Sequence, residues 1–148
     1  MGLIDDLQPG PVALDTAVFI YLIEEDRRYL DVVKPVFAAR DRGILEGVTS
    51  GLTLLELLVA PYCAGNVPLA ERYEALLTRS QGLRLVDLDR PVLKSAALLR
   101  ARVRLSPPGA LQVAALSARC TAFLTNDRRI PAMPGLRILQ LRDYLSAS

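Results

Sequence analysis

Short apolar segments alternate along this chain with longer amphipathic segments, and this alternation restricts the possible folds more than any other feature. Each short segment spans three to four residues, which suits a buried strand better than a helix. Strands joined through helices lie parallel in one sheet, and the helices cover its faces. We therefore predict an α/β fold with a mostly parallel sheet of four to five short strands, at residues 12–14, 47–50, 83–86, 122–125 and 136–139.

Helix boundaries are marked by prolines, glycines and one capping carboxylate. Pro35 is expected to kink or split the second helix and Pro61 to stop the third, because proline lacks the amide hydrogen of a helix interior. Asp89 is a good N-cap for the helix that follows it. The predicted helices cover residues 16–25, 29–42, 53–60, 68–79, 91–103 and 107–119, with a short last one at 142–145.

The length and composition predict one compact domain. The chain has 148 residues, of which 51% are hydrophobic, and this is enough for a well-buried core. A leader of about residues 1–11 ends at Pro9-Gly10-Pro11, and no repeat, low-complexity stretch or linker divides the rest. We predict a single domain over residues 1–148.

No segment of the sequence resembles an export signal or a membrane span. The first residues lack the basic and apolar regions of a signal peptide, and the apolar runs fall short of the roughly 20 residues that cross a bilayer. Cys63 and Cys120 have no CxxC partner, so neither a disulfide framework nor a zinc knuckle is indicated. Free thiols are normal in the reducing cytosol, and we expect a cytoplasmic protein.

The chain contains no histidine, which excludes several classes of active site. Ser-His-Asp triads, histidine general bases and histidine-ligated zinc are all ruled out. No GxGxxG follows the first strand and no GxxxxGK followed by Ser or Thr occurs, so nucleotide-cofactor folds lack their phosphate loop. The segment LDTAVF lacks the second aspartate of a haloacid-dehalogenase phosphatase. Carboxylates, with a metal ion, remain as the main chemical agents.

Three acidic residues stand where predicted strands give way to a helix or loop. They are Asp15 in VALDTAVF, Glu56 in LTLLELLVA and Asp127 in AFLTNDRRI. Ligands of open parallel sheets gather beyond the carboxyl ends of the strands, and Asp15 and Asp127 directly follow such ends. Carboxylates brought together from distant segments repel one another, so they persist mainly where they hold a cation or transfer protons.

Each of these acids also has an ordinary structural explanation. Asp15 before Thr16 suits a helix N-cap, and Asn126-Asp127 suits a turn. Glu56 is harder to explain in this way, because the leucines around it predict that most of its helix is buried. Its carboxylate then faces either solvent at a cleft or a compensating charge. The three acids taken together indicate an Mg²⁺ or Mn²⁺ site, since such hard cations prefer oxygen ligands and can activate water for attack on a phosphodiester.

Four motifs in their order along the chain carry a resemblance to a known family. They are a strand ending in LDT, an apolar helix with a central glutamate, a helix reading ALQVAAL, and a strand running FLTNDRR. Over nearly the whole chain, residues 12–145, this order resembles PIN-domain ribonucleases, and especially the VapC toxins of bacterial type II toxin–antitoxin pairs. The resemblance implies a three-layer α/β/α sandwich and a metal-dependent endoribonuclease that acts on RNA. It also implies a homodimer and a cognate antitoxin that lies along the acidic cleft.

The resemblance assigns roles to individual residues. Asp15 would bind the metal, Glu56 would position metal or water, and Asp127 would be the acid after the TN pair. Thr125 and Asn126 would shape the loop that carries Asp127. The implied cofactor is Mg²⁺ or Mn²⁺.

Gly109 departs from the family pattern, which has an aspartate at the start of this helix. The neutral oxygens of Gln112 and Ser106 are the nearest replacements, and neither restores the charge. Losing a well-placed catalytic charge costs on the order of 10²–10³-fold in rate, so we expect weak activity or none. Three origins are consistent with the glycine: a natural relative that binds without cutting, deliberate inactivation, and loss of the acid through one base change during expression. The intact flanking segments favour recent loss.

RNA binding requires a local basic surface, because the net charge of the chain is only +2. Arg128 and Arg129 directly follow Asp127 and are the best placed at the rim of the predicted cleft, whereas Arg100, Arg102 and Arg104 also fit a solvated helix face. The apolar stretches 19–23 and 54–59 suit either a dimer surface or the core. Two functions follow: a metal-dependent ribonuclease toxin weakened by Gly109, or a non-catalytic PIN-like module that binds RNA or protein.

Overall fold

The computed structural model describes residues 2–146, which form seven α-helices, five strands and one 3-10 helix at Leu141–Tyr144. Helices and strands alternate as the sequence predicts. The strands are β1 (Val12–Leu14), β2 (Gly47–Ser50), β3 (Leu83–Val86), β4 (Ala122–Thr125) and β5 (Arg137–Gln140). The helices are α1 (Leu3–Leu7), α2 (Thr16–Ile23), α3 (Leu30–Asp41), α4 (Gly51–Cys63), α5 (Val67–Arg79), α6 (Arg90–Arg102) and α7 (Pro107–Leu116).

The five strands form one all-parallel sheet in the order β3-β2-β1-β4-β5. Strand β1 is central: the chain moves outward from it through β2 and β3, and later returns to its other side with β4 and β5. The register pairs Leu14 with Leu124, so the carboxyl ends of β1 and β4 are level with each other. The predicted α/β fold with a parallel sheet is confirmed, with five strands.

The sheet is covered on both faces, which gives the three-layer sandwich that the family resemblance implies. Side chains alternate across β1: Val12 and Leu14 pack with α1 to α5, whereas Ala13 packs with α6 and α7. Strand β4 alternates in the same way, with Phe123 on the side of α7. Because both faces are buried, these strands read as continuous apolar runs rather than as alternating ones.

The split at Pro35 and the stop at Pro61 are wrong, and the leader contains a helix that the sequence did not predict. Pro35 lies inside an unbroken α3, and α4 continues past Pro61 to Cys63. Proline removes one backbone hydrogen bond of a helix, but the turn after Pro61 is closed by the bond from the Ala64 N–H to the Ala60 carbonyl. The leader contains α1, which forms because burial of its two leucines holds it against the core.

The cysteines and the helix lengths test the predictions about disulfides and membrane spans. Cys63 is exposed and Cys120 is buried, and both are free. Burial raises the pKa of the Cys120 thiol to about 12, so this side chain is inert core. Between residues 2 and 146, every helix is too short or too polar to cross a membrane.

Candidate active site

The three predicted acids line one cavity of about 650 Å³ at the carboxyl end of the sheet. Asp15 follows β1, Asp127 follows β4, and Glu56 comes from α4, the helix that begins directly after β2. The strand order reverses between β1 and β4, and such a switch point leaves a crevice where ligands bind in open α/β sheets. The topology therefore places side chains 112 residues apart in one pocket.

The Asp15 carboxylate accepts hydrogen bonds from three separate elements, α2, α7 and β4. Its Oδ1 accepts hydrogen bonds from the Thr16 N–H at 2.9 Å and from the Gln112 side-chain amide at 3.1 Å. Its Oδ2 accepts the Thr125 hydroxyl at 2.6 Å. Asp15 is thus an N-cap of α2, as its structural explanation predicted, and also a member of the pocket, so the two explanations are compatible.

Glu56 is exposed at the edge of the cavity and has one hydrogen-bond partner among the described residues. Its Oε1 accepts the Thr16 hydroxyl at 2.7 Å. Of the two surroundings expected for this carboxylate, the structure shows the cleft and not a compensating cation. The prediction that most of its helix is buried is wrong, because Leu55 and Val59 are 62% and 51% exposed, whereas Leu57 is buried.

Asp127 is held in its loop by the neighbouring residues. Its backbone N–H donates to the Thr125 hydroxyl oxygen, so Thr125 connects this loop to Asp15. Its carboxylate accepts the Arg129 backbone N–H and pairs with the Arg129 guanidinium at 3.0 Å. Burial tends to raise the pKa of Asp127, but the hydrogen bonds and the charge of Arg129 outweigh that effect and hold this pKa below its ordinary value.

Gly109 lies in the same cavity, in the first turn of α7. A Cβ atom built at this position would lie 3.4 Å from the Ser106 Oγ and 3.9 Å from Oδ2 of Asp127, which are ordinary contact distances. Ser106 caps the helix through the Gly109 N–H, so its hydroxyl serves the backbone at this point. A Cβ atom at position 109 would therefore fit without displacing its neighbours, and it would lie near Asp127.

Gln112 and Asn126 connect the elements around the pocket. The expectation that Gln112 presents an oxygen to the cleft is wrong, because its Oε1 accepts the Ser50 hydroxyl at 2.6 Å and its nitrogen faces Asp15. Asn126 donates to the Tyr21 hydroxyl and accepts the Arg142 backbone N–H through its side-chain oxygen. These bonds anchor the loop that carries Asp127.

The basic side chains at the cavity are Arg128, Arg129 and Arg142. Arg128 and Arg129 are exposed, as a role in phosphate binding requires, whereas Arg142 is half-buried and donates to the Asn126 carbonyl. Arg100, Arg102 and Arg104 are exposed and do not line the cavity.

The donor atoms suit a hard cation, although the carboxylates are not gathered around a common point. Carboxylate oxygens are the ligands that Mg²⁺ prefers. In the part of the chain from Gly2 to Ser146, however, no three acidic or cysteine side chains lie close enough together to hold a metal ion. Asp127 is paired with Arg129, and position 109 contributes no carboxylate. The residues therefore fit a cation by their chemistry, and binding requires Asp127 to exchange the guanidinium for the metal.

Comparison with protein families identifies the fold. The model of the PIN domain matches residues 12–136, which is most of the chain. The chain belongs to the PIN domain family. No curated protein sequence matches it. The matched range includes all three acids and Gly109, so the pocket lies within the PIN domain.

Solved structures with the same fold cover most of this PIN domain at low identity. A toxin–antitoxin complex from Klebsiella pneumoniae superimposes with a TM-score of 0.62 at 18% identity, over 85% of this chain and 95% of that one. VapBC2 from Rickettsia felis bound to a promoter DNA fragment gives 0.64 at 14%, over 87% and 97%. DNA-bound VapBC from Salmonella typhimurium gives 0.60 at 20%, over 88% and 97%. At these identities the likeness shows the fold alone.

Several residues of the pocket were not found from the sequence of this PIN domain. Thr16, Thr53 and Ser50 all take part in hydrogen bonds that lead to the acids, and Arg142 lines the cavity. One sequence signal was available for Thr53, because it lies three residues before Glu56 and so on the same face of α4. The others come from separate elements, and only the fold shows that they meet.

We expect Arg129→Ala to raise the pKa of Asp127 toward its ordinary value. The substitution removes the guanidinium, so the part of the pKa lowering that comes from its charge and its side-chain hydrogen bonds is lost. The backbone hydrogen bond from residue 129 remains. A pH titration of the Asp127 side-chain carbon by NMR measures this change. Arg128→Ala is the matched control, because Arg128 is the adjacent exposed arginine without a bond to Asp127 among those described. Equal shifts in the two variants would contradict the ion pair.

Proposed function

We propose that this PIN domain is an Mg²⁺- or Mn²⁺-dependent endoribonuclease of the toxin type, and that Gly109 weakens or abolishes its activity. One observation carries this proposal: Asp15, Glu56 and Asp127 line a single cavity at the topological switch point, and position 109 opens into the same cavity beside Asp127. PIN domains typically use divalent metals, and the donor atoms here are of the kind that such ions prefer.

The chain's own residues would divide the work in the following way. Asp15, with both oxygens hydrogen-bonded, is oriented before any ligand arrives. Glu56 keeps one oxygen free at the exposed edge, where it can orient a water molecule and accept its proton. Arg128 and Arg129 can bind the RNA phosphates. A bound Mg²⁺ or Mn²⁺, held by Asp15, Glu56 and Asp127, would supply positive charge for the phosphodiester and make the attacking water more acidic.

A specific observation favours a second candidate, a non-catalytic module that binds RNA or protein. Arg129 neutralises Asp127, and position 109 has no carboxylate, so the pocket contains less negative charge than four acids would provide. Against this candidate, a protein that no longer cleaves has no need of Asp15, Glu56 and Asp127 together. Titration with Mn²⁺ separates the two, since an absence of binding at millimolar concentration would favour the module.

The partners that we propose are an RNA substrate, a cognate antitoxin and a second copy of the chain. The similar structures are a toxin–antitoxin complex and two VapBC complexes, and a basic side chain of an antitoxin could replace Arg129 at Asp127. Of the two apolar stretches considered for the dimer, Phe19 is wholly buried and belongs to the core. Leu55, Val59 and Tyr62 form an exposed apolar stripe on α4 that suits a protein contact.

We expect a homodimer in solution at micromolar concentration. The exposed stripe on α4 would be unfavourable in a monomer, and association removes it from water. Light scattering coupled to size exclusion measures the mass, for which the monomer value is 16.2 kDa. Val59→Glu should give the monomer, whereas Arg84→Glu, an exposed change on β3, should not affect the mass. A monomer in the unmodified protein would rule out this dimer.

The decisive test of the proposed activity is cleavage of a structured RNA pool in Mn²⁺, with the present chain beside its Gly109→Asp variant. Activity that depends on Mn²⁺ and on this one side chain would identify the cavity as a nuclease site. Cleavage by neither protein would favour the binding module.

A further inference from the structure

Gln112 is a buried polar residue that the proposed chemistry does not use. It lies on α7, one turn after Gly109, and only 2% of its surface is exposed. A buried amide is costly unless it is hydrogen-bonded. Gln112 uses both N–H groups and its oxygen, and its three partners come from β2, α4 and the end of β1. Its bonds therefore tie α7 to the elements that carry Asp15 and Glu56.

The orientation of the Gln112 amide is determined by Asp15. The Asp15 carboxylate can only accept, so the group of Gln112 that faces it must be a donor. On the other side the Ser50 hydroxyl donates to the Gln112 Oε1 at 2.6 Å, while its oxygen accepts the Leu52 N–H. A reversed amide would place its oxygen against the Asp15 carboxylate and would lose the bond from Ser50. The nitrogen must therefore face Asp15.

The second N–H of Gln112 begins a chain of hydroxyls that ends at Glu56. It donates to the Thr53 hydroxyl oxygen at 3.0 Å. The Thr53 and Thr16 hydroxyl oxygens are 3.2 Å apart, and the Thr16 hydrogen is directed at Glu56. Thr53 must therefore donate to Thr16. Every donor in this chain points away from Gln112 and toward a carboxylate.

We infer that Gln112 is a positioning residue that orients Asp15 directly and Glu56 through Thr53 and Thr16. This inference rests on the proposed function, because it gives these two carboxylates a common task. Outer hydrogen-bond partners of ligating carboxylates typically change metal affinity by 10–100-fold when they are removed. Because this one amide orients two of the acids, we expect its removal to change metal affinity within this range.

The test is Gln112→Met, which keeps the length of the side chain and removes its hydrogen bonds. The control is Val113→Ala: Val113 is also fully buried on α7, and its apolar side chain packs in the core. In the Gly109→Asp protein we expect Gln112→Met to weaken Mn²⁺ binding, measured by calorimetry, at least tenfold. Val113→Ala should change it less than twofold, even where both variants lose similar stability.

A metal-free measurement tests the role of Gln112 without relying on the proposed nuclease activity. The side-chain carbon resonance of Asp15 should move in Gln112→Met and stay in place in Val113→Ala. If both variants behave alike in Mn²⁺ binding and in this resonance, Gln112 has only a structural role and the inference fails. If the Gly109→Asp protein binds no Mn²⁺, the proposed function fails, and the Asp15 resonance still decides the role of Gln112. Should Gln112→Met not fold, Ser50→Ala, which removes the hydrogen bond that holds the Gln112 oxygen, should move the Asp15 resonance in the same direction.

Discussion

Gly109→Asp is expected to raise Mn²⁺-dependent cleavage of RNA by this PIN domain on the order of 10²–10³-fold. The structure has room for the Cβ of the new side chain, because a Cβ at position 109 meets nothing closer than the Ser106 Oγ at 3.4 Å. The side chain would extend into the cavity beside Asp127. A further acid there makes the site more negative, which favours a divalent cation and helps it to compete with Arg129 for Asp127.

The helix that carries position 109 also favours the substitution. Ser106 is the N-cap of α7, so position 109 is the third residue of the helix, where an acidic side chain interacts well with the free backbone N–H groups. Glycine in a helix costs roughly 0.5–1 kcal/mol relative to alanine, and this cost is also reduced. We therefore expect the fold to tolerate the change in spite of the added repulsion from Asp127.

Gly109→Asn is the matched control for this experiment. Asparagine has nearly the shape of aspartate but no charge, so it should leave cleavage at the level of the present chain. If the present chain and Gly109→Asp cleave equally, substrate phosphate or water replaces the missing acid, and the glycine is not inactivating. If Gly109→Asn is as active as Gly109→Asp, the gain comes from the shape of the helix and not from charge.

Much of the fold could be predicted because its strands are short, apolar and buried on both faces. Val12–Leu14 and Ala122–Thr125 have no polar alternation to confuse with a surface strand, and helices separate the first from β2 and the second from β3. Helix α1 could not be predicted, since five residues carry no usable period and Leu3 and Leu7 become informative only against the core. The extension of α4 past Pro61 depends on the turn that closes behind it, which is also a property of the folded chain.

The positions of the acids were predictable, whereas their partners were not. Asp15 and Asp127 follow strands, and the carboxyl ends of neighbouring parallel strands must lie together. The bond from Gln112 to Asp15 joins residues 97 positions apart and depends on how α7 is seated against β2. No periodicity in the sequence encodes that packing. The pair between Arg129 and Asp127 is local, but it depends on side-chain rotamers in a loop.

Asp15→Asn and Glu56→Gln should both abolish most cleavage in the Gly109→Asp background, and only the first should destabilise the fold. Each removes one negative charge from the site, for which we expect a loss on the order of 10²–10³-fold in rate. Asparagine at position 15 has one acceptor oxygen where the carboxylate has two. One donor among Thr16, Gln112 and Thr125 then faces an N–H group, and an unsatisfied buried polar group costs roughly 1–3 kcal/mol.

Glu56→Gln should change stability less than Asp15→Asn, because Glu56 is exposed and accepts one described hydrogen bond. The amide oxygen of glutamine can still accept the Thr16 hydroxyl, so the free energy of unfolding should change by less than about 0.5 kcal/mol. Relief of repulsion between the acids acts in the opposite direction in both variants. It is small in the metal-free protein with Gly109, where Arg129 already neutralises Asp127, so the stabilities are compared in that protein and the relief does not offset the loss of hydrogen bonds at Asp15.

Urea denaturation without metal, together with cleavage assays in Mn²⁺, separates these contributions. Equal stability of Asp15→Asn and the parent protein would show that the three donors do not hold the carboxylate as described. Full activity of Glu56→Gln would remove Glu56 from the site and leave Asp15, Asp127 and position 109 as its acids. A loss of stability in both variants would instead indicate that Glu56 is bound more tightly in solution than its single hydrogen bond to Thr16 implies.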